Sequence, residues 1–318
     1  MGQRVPFRAR KAVRTMFNLL KSDVFRLVRG KMLWVALVFL ALVVVGAAGL
    51  VWFATTPEFA QMVNEQAQEE ARQSGATVTL TAPNGAGLDA EEVQALNEKV
   101  IGSRTYSYGN TFMVGFLGLI VAVLSALLAS SDFDTGFAKN VLAGRGDRRA
   151  YFAEKLVLIA ALCAVFLLAG MLLSDAVYAV LGFSYERTET VGEYWSWAGL
   201  SWLVLTAYAF LAALIAWATR SKTVGVVFAA LVPTGFVESM ALGAAAVLAP
   251  AMPLVGDAVQ WLPLSVQQRL AAGGTGLFET GASAVAGLSP AAQGLIVFGA
   301  IAAVCAALSL TACRKRDV

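Results

Sequence analysis

The run "MLWVALVFLALVVVGAAGLVWFA", Met32 to Ala54, decides the class of fold. It contains no charged side chain. As a helix it would rise about 35 Å at about 1.5 Å per residue, enough to cross the hydrocarbon core of a bilayer, which is ~30 Å thick. A signal-peptide core is shorter, and a long basic leader precedes this run, so it reads as a membrane span rather than a cleaved signal.

Working outward, five further apolar runs stand at Gly109–Ala129, Leu156–Leu181, Gly199–Thr219, Val224–Ala246 and Ala291–Ala312. The pattern predicts an all-α integral membrane protein with six transmembrane helices. The composition agrees: of 318 residues 58% are hydrophobic and only 14% are charged, against about a quarter charged in soluble domains. The three cysteines, Cys163, Cys305 and Cys313, fall within or at the end of apolar runs. None of them has zinc or redox spacing, so free thiols are expected. The chain has no histidine, which removes His-based triads, HExxH zinc sites and His proton relays.

Nineteen of the 24 lysines and arginines fall in the leader 1–31, the loop 130–155, the turn 220–223 and the tail 313–318. The other connections, 55–108, 182–198 and 247–290, hold only Arg72, Lys99, Arg104, Arg187 and Arg269. The positive-inside rule therefore places both termini in the cytoplasm. Aromatic residues group near both sets of span ends, with Trp34, Tyr151 and Trp217 inside and Trp52, Tyr106, Tyr108, Tyr185, Tyr194, Trp195, Trp197 and Trp261 outside, as expected of interfacial belts.

The polar regions have distinct characters. In the leader, Val13, Phe17, Leu20, Val24, Leu27 and Val28 recur at helical spacing among basic residues. That predicts an amphipathic helix lying on the inner headgroups, or more simply a positive anchor that fixes orientation. The segment 55–108 reads as a small extracytoplasmic helical insert. Thr56-Pro57-Glu58 opens one helix, "ATVTL" is β-prone, and Asp89 with Glu92 opens another. It is either a solvated cap or a surface for substrate or a second copy. The stretch Ala249–Pro290, rich in Gly and Pro, predicts short broken helices dipping into the outer leaflet.

The loop "SDFDTGFAKNVLAGRGDRRAYFAEKL" is ordered rather than merely basic. Asp132, Asp134 or Thr135 offers an oxygen to cap a helix start. Phe137, Val141 and Leu142 make an apolar stripe, Gly144 suits a left-handed helix end, and Asp147 caps a second helix running through Tyr151 and Lys155 into the third span. This helix–turn–helix elbow presents an apolar knob framed by charge, a shape that suits a socket on another protein. The plainer alternative is a positive-inside loop.

In these residues the chain resembles the ABC-2 type transporter permeases, including those of bacterial peptide and lantibiotic export or immunity systems. Their loop between spans two and three reads acid-x3-Gly-x2-Lys-x2-Leu, followed by an Arg and a Lys. Here it is Asp132, Gly136, Lys139, Leu142, Arg148 and Lys155. Asp stands where Glu is usual, and Phe137 where a small hydroxyl residue often follows the glycine. The resemblance implies a bacterial plasma-membrane permease, one half of a homo- or heterodimer. Its elbow would dock on a separate cytosolic ABC ATPase, which binds the ATP. The permease itself would carry no cofactor and bind no nucleic acid, its other partners being membrane lipids. No GxxxxGK[ST] loop occurs here, so the resemblance assigns hydrolysis to that partner and makes this chain a non-enzymatic subunit that exports an amphipathic substrate. The alternative is a membrane sensor or immunity protein that binds an extracellular peptide and signals without transport.

Acids inside apolar runs are functional candidates. Asp175 falls near the outer end of the third span. Glu238 follows Pro233 and Gly235 in the fifth. Pro233 would kink the helix, and Glu238 would line the translocation path, pair with a cation across the dimer, or sit in a wet vestibule under the re-entrant helices. Small-residue pairs such as Gly115/Gly118 would permit close helix packing.

Overall fold

In the computed structural model, residues 19–56, 59, 62, 98–113, 115–134, 148–186, 189–248, 252–280, 285 and 287–315 are described. Helix α1 covers 19–29, and after a break at Gly30 comes α2, Lys31–Ala54. A two-residue strand β1, Val100–Ile101, leads into α3, Arg104–Tyr108, then a π-helical turn, Gly109–Met113, and α4, Phe116–Asp134. Helix α5, Arg148–Val180, is followed by strand β2, Ser184–Tyr185, and by α6, Val191–Thr219. The rest is α7, Lys222–Leu231, α8, Phe236–Leu248, α9, Pro253–Val259, α10, Pro263–Ala271, and α11, Pro290–Lys315.

Four helical segments, Lys31–Ala54, Ala150–Val180, Val191–Thr219 and Pro290–Thr311, are long and apolar enough to cross a membrane. The pair Arg104–Met113 and Phe116–Ser131, bent by 52°, makes a fifth crossing if taken as one. Among the described residues the fold is all-α apart from one short strand pair and an isolated bridge between Val285 and Leu288, and by helix length and hydropathy this is a multi-pass membrane protein. Of the first expected insert helix, Thr56 is described and Phe59 and Met62 are helical, while Pro57, Glu58, Asp89, the "ATVTL" stretch and the turn of the elbow lie outside the described residues.

Helix α6 is the hub. Thr190 and Glu193 form its capping box: the Glu193 N–H donates to Thr190 Oγ1 at 3.2 Å, and the Thr190 N–H donates to Glu193 Oε2 at 2.8 Å, so the first turn needs no partner from elsewhere. The helix ends where Arg220 turns left-handed, φ 53°. Its alanines Ala207, Ala209, Ala212, Ala213 and Ala216 are buried, and such small side chains let neighbouring backbones approach. A β-carbon on Gly225 of α7 would come within 2.8 Å of the Ala216 β-carbon, so α7 lies against α6 at close range. Around α6 the buried core runs through Leu117, Val121, Phe152, Ile159, Phe166 and Phe298.

Side-chain contacts fix the helix directions. At one end, here the basic end, α4 and α6 finish together. There the Trp217 indole donates to the Ala129 carbonyl at 3.1 Å and meets the Phe152 ring edge-on at 5.0 Å. Helices α2 and α5 begin at that end. At the opposite, aromatic end the last turns of α2 and α5 meet through Ala48, Tyr178 and Phe183. The new parallel pairing of β1 with β2, Val100 opposite Ser184 and Ile101 opposite Tyr185, ties their following segments together there. Helix α11 begins at this end, where Gln293 Nε2 donates to the Gln260 carbonyl at 2.9 Å.

The run expected as one helix, Val224–Ala246, is broken. Helices α7 and α8 are separated by Val232–Gly235, with Gly235 left-handed at φ 69°. Pro233 has no N–H to continue the ladder. The Thr234 hydroxyl instead donates to the carbonyls of Ala230, at 2.8 Å, and Leu231, at 3.1 Å. Gly118 of α4 faces this break: a β-carbon there would lie 3.0 Å from the Pro233 β-carbon. Of the small-residue pair Gly115/Gly118, one residue thus makes a bend and the other a helix contact.

Helix α1 is held by two leucines and by a charge. Leu20 and Leu27 pack on the bundle, while Val24, Phe25 and Val28 are exposed. Between the first two, Asp23 is buried and accepts from Lys155 Nζ at 2.5 Å; Lys155 is itself only 3% exposed. Breaking a buried ion pair from one side costs about 3–5 kcal/mol, whereas replacing both charges by apolar groups is close to neutral. Lys155→Met should therefore lower the thermal unfolding midpoint in detergent by several degrees, and Asp23→Leu added to it should restore much of the loss. A double variant no more stable than the single would show that the pair is not the fastening.

Candidate functional site

The polar groups of the bundle interior converge on α10. Its N-cap, Leu262, has no side-chain acceptor, and Pro263 at the first position removes one of the unpaired donors of the helix start. The next donor, the Leu264 N–H, is taken by Glu238 Oε2 of α8. A carboxylate at a helix N-terminus also meets the positive end of the helix dipole. Close approach makes this possible: a β-carbon on Gly235 would lie 2.5 Å from Leu264 Cδ1, so the break between α7 and α8 is where α10 seats.

One turn on, Gln267 is buried and uses both ends of its amide. Its Oε1 accepts from the Tyr208 hydroxyl of α6 at 2.8 Å, and its Nε2 donates to the Met113 carbonyl at 3.1 Å. Met113 ends the π-helical turn, just before Gly115 turns left-handed at φ 84° and the helix axis bends. Its carbonyl thus meets a side chain where a straight helix would supply a backbone amide. At the C-terminal end of α10 the buried Trp197 indole donates to the Leu270 carbonyl at 2.9 Å. The Ala271 backbone passes so close to α3 that a β-carbon on Gly109 would collide with its carbonyl, 1.7 Å away. Beyond it, the Gly274 N–H donates to Thr105 Oγ1 at 2.9 Å, and that hydroxyl donates to Glu189 Oε1 at 2.6 Å.

The connection between α9 and α10 is satisfied in the same manner. Ser265 Oγ donates to the Val259 carbonyl at 3.0 Å. The Gln260 carbonyl accepts from Gln293 Nε2 and from the Arg269 guanidinium. The expected broken helices of 249–290 are present as α9 and α10, and their irregular backbone is met by protein groups, which is what allows such backbone within an apolar layer.

Of the residues singled out in the sequence, Pro233 and Glu238 are brought together at this site, Pro233 against α4 and Glu238 on the end of α10. Within the chain, Glu238 accepts from the Leu264 backbone amide. Lys155 lies at the other end of the bundle, in the buried pair with Asp23. Asp132 and Arg148 occupy the last turn of α4 and the first residue of α5, with side chains outside the described set. Gly136, Lys139 and Leu142 also lie outside the described residues. The residues not anticipated are Gln267, Tyr208, Trp197 and Asp23. A glutamine in a short helix otherwise lined by Leu264, Val266 and Leu270 was the available signal for the first.

Among the described residues no group of His, Cys, Asp and Glu is placed to hold a metal ion. Cys163 and Cys305 are buried free thiols. No protein-family model matches the chain, and no curated protein matches it in sequence. The arrangement defines a multi-pass helical membrane protein whose aromatic end is closed by a short helix fastened to several others.

Removing one partner of a buried hydrogen bond costs about 1–3 kcal/mol for each group left unpaired. Gln267→Leu orphans both the Tyr208 hydroxyl and the Met113 carbonyl, so it should lose about 2–6 kcal/mol in detergent unfolding. Adding Tyr208→Phe should recover part of that. Glu238→Gln keeps an acceptor for the Leu264 N–H and should be mild, whereas Glu238→Ala should cost about 0.5–2 kcal/mol, the usual value of a lost N-cap. Equal effects of Gln and Ala at 238 would contradict the capping role.

Proposed function

We propose that this chain is the permease subunit of an ABC-2 type exporter. It would be one half of a homo- or heterodimeric core in a bacterial plasma membrane, driven by a separate cytosolic ABC ATPase. The observation that carries the proposal is the ordered loop pattern Asp132, Gly136, Lys139, Leu142 and Arg148 between two spans. Its setting supports this. Asp132 and Arg148 are the helical residues that flank the loop, one ending α4 and the other opening α5. Helix α5 runs 33 residues without interruption, about 50 Å by helical rise. A push at the elbow would reach the aromatic end as a tilt of one rod.

The six-crossing topology, with both termini cytoplasmic, belongs to the same proposal. Helix α6 finishes at the basic end and α11 begins at the aromatic end, so the chain between them has to return. The α7–α8 pair supplies that passage, from Gly225 beside Ala216 to Glu238 on α10. Helix α10 would then stand as an outer closure. Alternating access requires ATPase closure to favour one arrangement of these contacts over another. The cargo is an amphipathic molecule, and α1 rests on the inner lipid surface with Val24, Phe25 and Val28 toward the headgroups.

Affinity purification in mild detergent tests the partner directly, since an ATPase with a phosphate-binding loop should co-purify. The double reversal Lys139→Glu with Arg148→Glu should reduce co-purified ATPase about tenfold or more, because reversed charges at a docking surface cost several kcal/mol, and should abolish export while insertion is kept. Undiminished ATPase capture and export in that variant would overturn the docking role. Peptide binding to the intact protein through 55–108 with no associated ATPase would favour the sensor.

A further inference from the structure

At the basic end, the helical spacing of about 100° per residue divides α1 into three faces. Leu20, Asp23 and Leu27 make the first, which lies on the bundle. Lys21, Val24, Phe25 and Val28 make the second, turned away from the bundle. Its apolar members are 42%, 56% and 47% exposed, and Lys21 is exposed among them. Ser22, Arg26 and Arg29 make the third, which is polar and exposed. A helix between protein and water needs only two faces. A helix that meets protein, lipid and water needs three, and the middle one is the apolar strip that sinks to the boundary of headgroups and acyl chains.

The charges around this strip have one sign. Among the acids whose side chains are described, only Asp23 and Glu154 stand at the basic end, and both are buried. The surface there shows Lys21, Arg26, Arg29 and Lys31 of the first two helices and Arg220 and Lys222 of the α6–α7 turn, all exposed. Of the four on the first two helices, Arg26 leans back on Asp23 at 3.5 Å. Arg29 lies over the Phe25 ring, its guanidinium carbon 4.4 Å from the centroid, so the cation is held at the edge of the apolar strip. Trp34, 57% exposed, donates its indole N–H to the Val28 carbonyl at 2.9 Å. Indole rings favour the headgroup level, and this one sits at the end of the strip, where α1 passes into the span α2.

We infer that the outward strip of α1 is a binding surface for acidic phospholipid. Val24, Phe25 and Val28 enter the upper acyl region, and Lys21, Arg29 and Lys31 meet the phosphates. Charge complementarity selects this occupant: the strip offers cations and no exposed acid, so a lipid carrying net negative charge gains an attraction that a zwitterionic one lacks. The surface is also tied to the rest of the fold. Asp23, next to Val24 in the chain but on the bundle side, is paired with Lys155 of α5. Lipid that holds α1 therefore holds the first turns of α5, and its effect is read in the stability of the whole bundle. The inference takes from the export proposal only the placing of α1 on a lipid surface, and it adds which lipids that surface selects.

The test is thermal unfolding of the purified full chain in an uncharged detergent, titrated with phosphatidylglycerol or with phosphatidylcholine of the same acyl chains. Phosphatidylglycerol should raise the unfolding midpoint at about tenfold or more lower concentration than phosphatidylcholine, and high salt should narrow the gap. Equal potency of the two lipids would overturn the inference without recourse to any variant. Lys21→Gln with Arg29→Gln removes two exposed cations and should weaken the phosphatidylglycerol effect about tenfold to thirtyfold while leaving that of phosphatidylcholine unchanged. Arg220→Gln with Lys222→Gln removes the same charge from the α6–α7 turn and should keep the preference. An equal loss in both double variants would show a general field of the basic end and overturn the assignment to α1. Inorganic phosphate at matched ionic strength should not stabilise; stabilisation by it as great as by phosphatidylglycerol would also overturn a lipid surface. No ATPase or ATP enters the experiment, so its failure leaves ATPase capture as the test of export, and failed capture leaves the lipid preference standing.

Discussion

A peptide group released from a helix inside an apolar layer has no water to turn to, and an unsatisfied one costs several kcal/mol. The interior of this bundle follows that constraint closely. It contains breaks at Gly115, at Val232–Gly235 and between α9 and α10, and beside each of them stands a side chain that takes up a released group. Gln267 covers Met113, Thr234 covers Ala230 and Leu231, Glu238 covers Leu264, Trp197 covers Leu270, and Ser265 covers Val259. Most of these partners come from a different helix, so the breaks do not loosen the bundle. They become the places where it is joined.

Buried charge is handled on the same terms. Asp23 and Lys155 lie far apart in sequence but meet at 2.5 Å, which orients α1 by one fixed point as well as by its apolar stripe. An apolar stripe alone lets a helix slide along a smooth surface, whereas a buried charge pair defines register, a role best attested where one polar contact selects among similar packings. Lys155 is therefore held inside the fold, paired with Asp23.

Four of the six expected spans, and a fifth as a bent pair, were legible because a run such as Met32–Ala54 has one stable solution in lipid. Most helix limits differ from the sequence reading only where polar residues extend a helix beyond the membrane, as at Val191–Ala198, where the Thr190 capping box starts α6 earlier than hydropathy suggests. The break in the fifth run was half legible: Pro233 and Gly235 marked a kink, but the left-handed Gly235 depends on Leu264 pressing against it. What could not be read were the pairings across long sequence distance. Gln267 with Met113, Tyr108 with Asp175 and β1 with β2 each join segments whose separation leaves no local pattern. Glu238 was marked for the cost of its charge, and within the chain it caps α10 at the Leu264 N–H.

The two ends of the bundle also solve the same problem differently. At the basic end an aspartate is matched by a lysine, charge to charge, and the pair is closed from solvent. At the aromatic end Asp175 accepts from the Tyr108 hydroxyl at 2.6 Å, and among the described residues no ion pair to it is seen. A hydrogen bond from a phenol stabilises a carboxylate without neutralising it. A protein selecting only for stability in this position has a simpler solution in asparagine, which keeps an acceptor for Tyr108 and carries no charge to desolvate. The difference runs along α5, the helix that carries both Lys155 and Asp175.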